Sequence, residues 1–162
     1  MDRDLEKLRS KLLNKKVFFD FDGVLMTYHA KKNQVHIDEP TYLRRFIRTG
    51  DPYYASRTPE RMIEFVNSLD SMNIYVLSAV ATSFEGEEKR RVLRRKYPNF
   101  YPDNIIFVGR SSYKAIVADE MYKQYWMKDY KRKDIYLIDD TTECIQQFEE
   151  NGFSALHISE FL

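Results

Sequence analysis

Residues 17–25 read Val17-Phe18-Phe19-Asp20-Phe21-Asp22-Gly23-Val24-Leu25. An apolar run closed by a glycine turn is the pattern of a buried strand. This one ends in two carboxylates two positions apart. Asp20 and Asp22 therefore leave the strand at its carboxyl end, where open α/β sheets place their ligands. Two like charges at that spacing repel, and a metal ion or a proton on one carboxyl must offset the repulsion. The stretch is a candidate for metal-assisted chemistry.

The rest of the chain supplies more strands of the same kind. Ile74–Leu77, Ile105–Val108, Ile135–Ile138 and Phe153–Leu156 are short apolar runs. Helical patterns lie between most of them, over 58–71, 86–96, 113–127 and 141–150. Thr58-Pro59 reads as the N-cap and first residue of the first of these. An amphipathic helix over 2–14 precedes the first strand, with Leu5, Leu8, Leu12 and Leu13 on one face. This alternation predicts a Rossmann-like, three-layer α/β sandwich with a mostly parallel sheet of about five strands. Right-handed crossovers put the carboxyl ends of those strands on one edge.

Segment 24–57 breaks the alternation. Residues 24–38 suggest a hairpin flap around Lys31-Lys32-Asn33. Asp38-Glu39-Pro40 then reads as a helix start and Gly50 as its stop. The expectation is a single domain over 1–162, with a small flap or cap insertion at about 24–57 hanging over the acidic turn.

Composition narrows the function classes. At 43% hydrophobic and 31% charged, the 162 residues can build a real core. Lys and Arg number 26 against 25 Asp and Glu, so net charge gives no argument for nucleic acid or a membrane surface. Cys144 is the single cysteine, which excludes an intramolecular disulfide and a cysteine-cluster zinc site. The expected compartment is a reducing cytoplasm. The charged N-terminus lacks the apolar core of a secretory signal. No apolar run approaches the roughly 18 residues that span a bilayer.

Four polar signals follow four different strands. Asp20 and Asp22 follow the first, Ser78 the second, Lys114 the third after a short loop, and Asp139 and Asp140 the fourth. On a parallel sheet they can converge on one crevice. Phosphoryl transfer could use each of them. Carboxylates hold a divalent cation, one carboxylate can attack phosphorus, and another can move the proton. A hydroxyl and a lysine can bind the equatorial oxygens. Response-regulator receivers use similar groups, but their acidic pair comes early and their lysine last. Here the double aspartate comes last.

In this order, Asp20-Phe-Asp22-Gly-Val, Ser78, Lys114 and Asp139-Asp140 resemble the four motifs of haloacid dehalogenase-like (HAD) phosphohydrolases over about residues 16–157. The resemblance implies Asp20 as nucleophile and Asp22 as general acid/base. It implies Mg2+ as cofactor, held by Asp20, the backbone carbonyl of Asp22, and Asp139, with Asp140 supporting the metal or its waters. Ser78 and Lys114 would hold the transferring phosphoryl group. Lys89 competes for the lysine role, but Lys114 precedes the last helix and strand before Asp139, as the family order expects. Val24 stands where many members have threonine, a position without chemistry. Dehalogenase chemistry is disfavoured, because it needs no metal and leaves an acid at position 22 without a use.

The implied partner is a small phosphorylated substrate. A nucleotide comes first, because the Asp-Gly-Val-Leu turn also resembles deoxyribonucleotidase-type members. The insertion is smaller than many helical caps. It leaves open a macromolecular phosphoester, or a site completed by a second subunit of a homo-oligomer. The rival reading is a non-catalytic metal- and phosphate-binding regulatory module on the same scaffold.

The remaining features have plainer readings. The basic run Lys89–Lys96 reads as a solvated helix face with Val92 and Leu93 inward, and a phosphate-rich ligand or nucleic acid is the alternative. Lys128–Lys133 reads as the loop before a strand. Trp126 with Tyr122 and Tyr125 reads as helix packing, and Cys144 as a buried small hydrophobe. His29 and His36 read as surface residues. Tyr42, Tyr53 and Tyr54, interleaved with Arg44, Arg45, Arg48 and Arg57, are ligand candidates suited to an anionic phosphoester.

Overall fold

The computed structural model describes residues 1–28 and 56–161. Along the chain these form α1 (Arg3–Lys11), β1 (Lys16–Phe19), β2 (Thr27–Tyr28), β3 (Ser56–Arg57), α2 (Glu60–Asn67) and β4 (Ile74–Ala79). Then come α3 (Ser83–Lys96), β5 (Ile105–Val108), α4 (Lys114–Met121), β6 (Ile135–Asp139), α5 (Thr142–Glu150) and β7 (Ser154–His157). Five strands make a wholly parallel sheet in the order β5-β4-β1-β6-β7. The protein is therefore a Rossmann-like α/β fold, as the sequence pattern predicts.

The opening strand is the middle of that sheet. Phe18 lies level with Tyr75 of β4 on one side and Leu137 of β6 on the other. A central strand covered on both faces is apolar along its buried length, and past the half-buried Lys16 at its start, Val17, Phe18 and Phe19 are all buried. Alternation splits them between two cores. Val17 and Phe19 join Leu5, Met62, Phe65 and Leu93, contributed by α1, α2 and α3. Phe18 joins Ala118, Trp126, Cys144 and Phe148 on the opposite face, contributed by α4, α5 and the π-helical turn Tyr122–Trp126 that extends α4.

Some local expectations need correction. Leu13 does not share the buried face of α1. The helix ends with Leu12 as its C-cap, and Leu13 beyond it is 51% exposed. Pro59 is the N-cap of α2, not its first residue, and Thr58 does not cap it. That helix stops at Asn67, because the Asp70 side chain accepts from Met72 N–H and starts a separate 3-10 turn. α3 begins earlier than expected, at Ser83, where Thr82 Oγ1 accepts from Glu85 N–H. Tyr122 and Trp126 are buried as expected, but Tyr125 is 63% exposed.

At the base of the insertion, β2 pairs antiparallel with β3. The flap turn at 31–33, the helix from Asp38 to Gly50, His29, His36, Tyr42, Arg44, Arg45, Arg48, Tyr53 and Tyr54 all lie outside the described residues. Among the described residues, no helix is long and apolar enough to cross a membrane.

Tyr97, the C-cap of α3, ties that helix to the turn after β1: its hydroxyl donates to the Leu25 carbonyl at 2.7 Å, and the whole side chain is buried. Tyr97→Phe strands a buried carbonyl, and urea unfolding is expected to show a loss of about 1–3 kcal/mol. Unchanged stability would mean the bond adds nothing to the fold.

Candidate active site

Asp20 is the first residue past β1, and its N–H donates to Ile138 O at 3.0 Å. The sheet ladder thus runs one residue further and holds Asp20 beside Asp139, the last residue of β6. The chain then turns sharply. The Phe21 carbonyl accepts from Val24, Leu25 and Met26 N–H groups, and Gly23 N–H donates to Met26 O at 2.8 Å. Gly23 has φ of 80°, a left-handed conformation that a side chain would strain. Phe21, Val24 and Leu25 bury themselves as the turn closes. Their burial fixes Asp22 at the site edge, where its side chain is 35% exposed.

Lys114 opens α4 and is almost fully buried. Its Nζ donates to Asp20 Oδ1 at 2.9 Å and to Asp139 Oδ2 at 3.0 Å. The other oxygen of Asp139, Oδ1, accepts from Thr141 N–H and Thr141 Oγ1, both at 3.0 Å. Asp140 is half-buried. Its carbonyl meets His157 Nε2 at 3.1 Å. A carbonyl only accepts, so Nε2 carries the proton, and Nδ1 accepts from Ser159 N–H at 3.1 Å. One carboxylate oxygen each of Asp20, Asp139 and Asp140 lies within 4.8 Å of the others.

A second ion pair stands beside the first. Lys89 Nζ donates to Asp22 Oδ2 at 2.7 Å, to Ser78 Oγ at 2.9 Å and to the Ala79 carbonyl at 3.0 Å. Ser78 lies within β4, one residue before its end, and is fully buried.

Electrostatics distinguish the carboxylates. Burial pushes the Asp20 carboxyl well above the ordinary carboxylate range; Lys114 opposes this, while Asp139, Asp22 and Asp140 reinforce it. Asp139 moves the other way. Burial works against its charge, but Lys114 and the Thr141 N–H outweigh burial and lower its pKa. Burial works against the charge of Lys114 too, yet Asp20 and Asp139 hold it above its usual value. Asp20 therefore resists ionisation until more positive charge arrives. Three clustered carboxylates are hard oxygen donors, and such a set fits a hard divalent cation of the Mg2+ kind. The Asp22 side chain lies outside this cluster, which leaves its backbone carbonyl as the only donor expected of it.

All six residues singled out in the sequence, Asp20, Asp22, Ser78, Lys114, Asp139 and Asp140, gather at the carboxyl edge of the sheet. They do so as two sets, with Lys114 among Asp20 and Asp139, and Lys89 between Asp22 and Ser78. The solvated-face reading of Lys89–Lys96 fails at Lys89, which is completely buried. Leu93 is one helical turn away, and four-residue spacing puts both on the inward face. Arg91, Arg94, Arg95 and Lys96 are exposed, as expected. Thr141 and His157 carried no signal in the sequence, because their roles depend on where β6 and β7 end.

The fold and site together define a parallel-sheet α/β protein with a carboxylate–lysine centre at its strand ends. No family model matches the chain, and no curated protein matches it. Among solved structures, it is similar to the HAD domain of the effector protein Lem4 from Legionella pneumophila, at 14% identity and a TM-score of 0.48, covering 88% of this chain and 85% of that one. It is also similar to a predicted HAD-like family hydrolase from Porphyromonas gingivalis, at 13% identity and a TM-score of 0.47, covering 88% and 90%.

The raised pKa of Asp20 has a signed consequence. In metal-free protein, the stability tied to its proton is full below the unfolded value of about 4 and is lost as pH rises through the folded value. Asp20→Asn keeps an acceptor for Lys114 without the charge. Urea unfolding in chelator should find it more stable than wild type at alkaline pH and not at acid pH. Parallel pH profiles would contradict the assignment.

Proposed function

We propose that this chain is a HAD-like phosphohydrolase: a Mg2+-dependent phosphomonoesterase that works through an aspartyl-phosphate on Asp20. The observation that carries this reading is the buried Asp20 carboxyl, 2.9 Å from Lys114 and clustered with Asp139 and Asp140. A carboxyl held this way becomes a nucleophile when its charge is balanced. Asp20, Asp139, the Asp22 carbonyl and Asp140 would hold the cation, which would supply that balance and neutralise phosphate charge.

The chain's own groups account for the remaining roles. One Asp20 oxygen attacks phosphorus, and Lys114 and Ser78 bind equatorial oxygens as they gain charge. Asp22, partly exposed at the site edge, gives a proton to the leaving oxygen. It then takes one from the water that cleaves the acyl phosphate. A cavity of about 420 Å³ adjoins Gly23 and Asp140 and is lined by Val24, Met62, Ile158 and Phe161. Its apolar wall suits the organic part of a phosphomonoester, and a nucleotide is the first candidate.

A magnesium-supplemented panel of nucleotides, sugar phosphates and an aryl phosphate tests the reading. Turnover is expected to vanish in chelator and return with Mg2+, and Asp20→Asn should lose on the order of 10³-fold or more. Metal binding without turnover of any ester would favour a regulatory binding module instead. Undiminished activity in Asp20→Asn would remove the nucleophile assignment.

A further inference from the structure

Lys89 is chemically out of place in its own segment. The other basic residues of the run it opens are solvated or half-buried, yet its side chain is fully buried. A buried ammonium is tolerated only when its charge and all its donors are matched. Lysine has three N–H donors and no acceptor. Here each donor has one acceptor: Asp22 Oδ2, Ser78 Oγ and the Ala79 carbonyl, at 2.7, 2.9 and 3.0 Å. Glu85, one turn earlier on α3, adds a second negative charge at 3.7 Å. The Phe21 ring lies 5.2 Å from Nζ. The ammonium is thus locked from every side.

Resting on the phosphohydrolase reading, we infer that Lys89 is a positioning residue for proton transfer: it fixes the Asp22 carboxyl in its working orientation. Asp22 spans the boundary between core and crevice, its Oδ2 bonded to a buried lysine while its side chain stays 35% exposed. With Oδ2 held by Lys89, whose charge Glu85 also faces, Oδ1 is the oxygen left to carry the proton into the crevice, and such a set direction governs general acid catalysis.

Positioning a general acid matters most where the leaving group needs a proton. The test compares kcat/KM, which reports the steps up to aspartyl-phosphate formation, for an alkyl phosphate and for 2,4-dinitrophenyl phosphate. Lys89→Met should lose ~100-fold on the alkyl ester and less than about five-fold on the dinitrophenyl ester, whose leaving group departs without a proton. A role in stability alone lowers both equally, and an equal fall, or none, overturns the inference. Should Lys89→Met not fold, Asp22→Asn/Lys89→Met removes charge from both partners and is compared with Asp22→Asn. The two should agree within about two-fold on the alkyl ester, and a further fall of about ten-fold means that Lys89 does not act through Asp22. Asp20→Asn should abolish turnover of both esters. If wild type turns over neither ester, the phosphohydrolase reading falls and takes this one with it. A uniform loss in an otherwise active enzyme sinks only the role of Lys89.

Discussion

Two buried carboxylates, Asp20 and Asp139, end adjacent strands and share one ammonium, Lys114. The rest of the site follows from this contact. At about 4 Å and an effective dielectric of 20, two unit charges interact by about 4 kcal/mol, a large fraction of a domain's net stability. The sheet would not tolerate both carboxylates ionised without compensation. Lys114 relieves part of the repulsion, and Thr141 directs that relief to Asp139. Asp20 is left as the carboxyl whose charge depends on what else binds. The proposed attack on phosphorus would gain from this dependence, because a bound cation would favour the Asp20 carboxylate.

The second ion pair divides the labour. Lys114 enters from α4 and serves Asp20 and Asp139. Lys89 enters from α3, on the opposite face of the sheet, and serves Asp22 and Ser78. Two carboxylates two positions apart thus have different electrostatic partners. The turn at Gly23 makes this separation possible. It carries Asp22 away from the Asp20 cluster while burying Phe21, Val24 and Leu25 beneath it.

The central architecture was legible because β1 is buried on both faces. A strand that is apolar along its buried length leaves an uninterrupted signature, and the neighbouring parallel strands share it. The candidate site was legible for the same reason, since its residues sit where those runs stop. Helix limits were less readable: the start of α3 depends on a Thr82 cap and the end of α2 on an Asp70 side chain, both local hydrogen bonds rather than periodic patterns. Lys89 was misread because composition outweighed position. Between two glutamates and two arginines it reads as solvated, while its four-residue spacing from Leu93 puts it inside. Thr141 and His157 act through contacts made only once β6 and β7 are aligned, and no pattern in the chain announces them.

The most direct test of the account is chemical trapping of the intermediate. Protein turning over a phosphomonoester in Mg2+ is acid-quenched, reduced with borohydride and mapped by mass spectrometry. Reduction converts a phosphorylated aspartate to homoserine, and that conversion is expected at Asp20 alone, absent without substrate. Steady turnover with Asp20 unmodified, or with the modification at Asp22, Asp139 or Asp140, would contradict it.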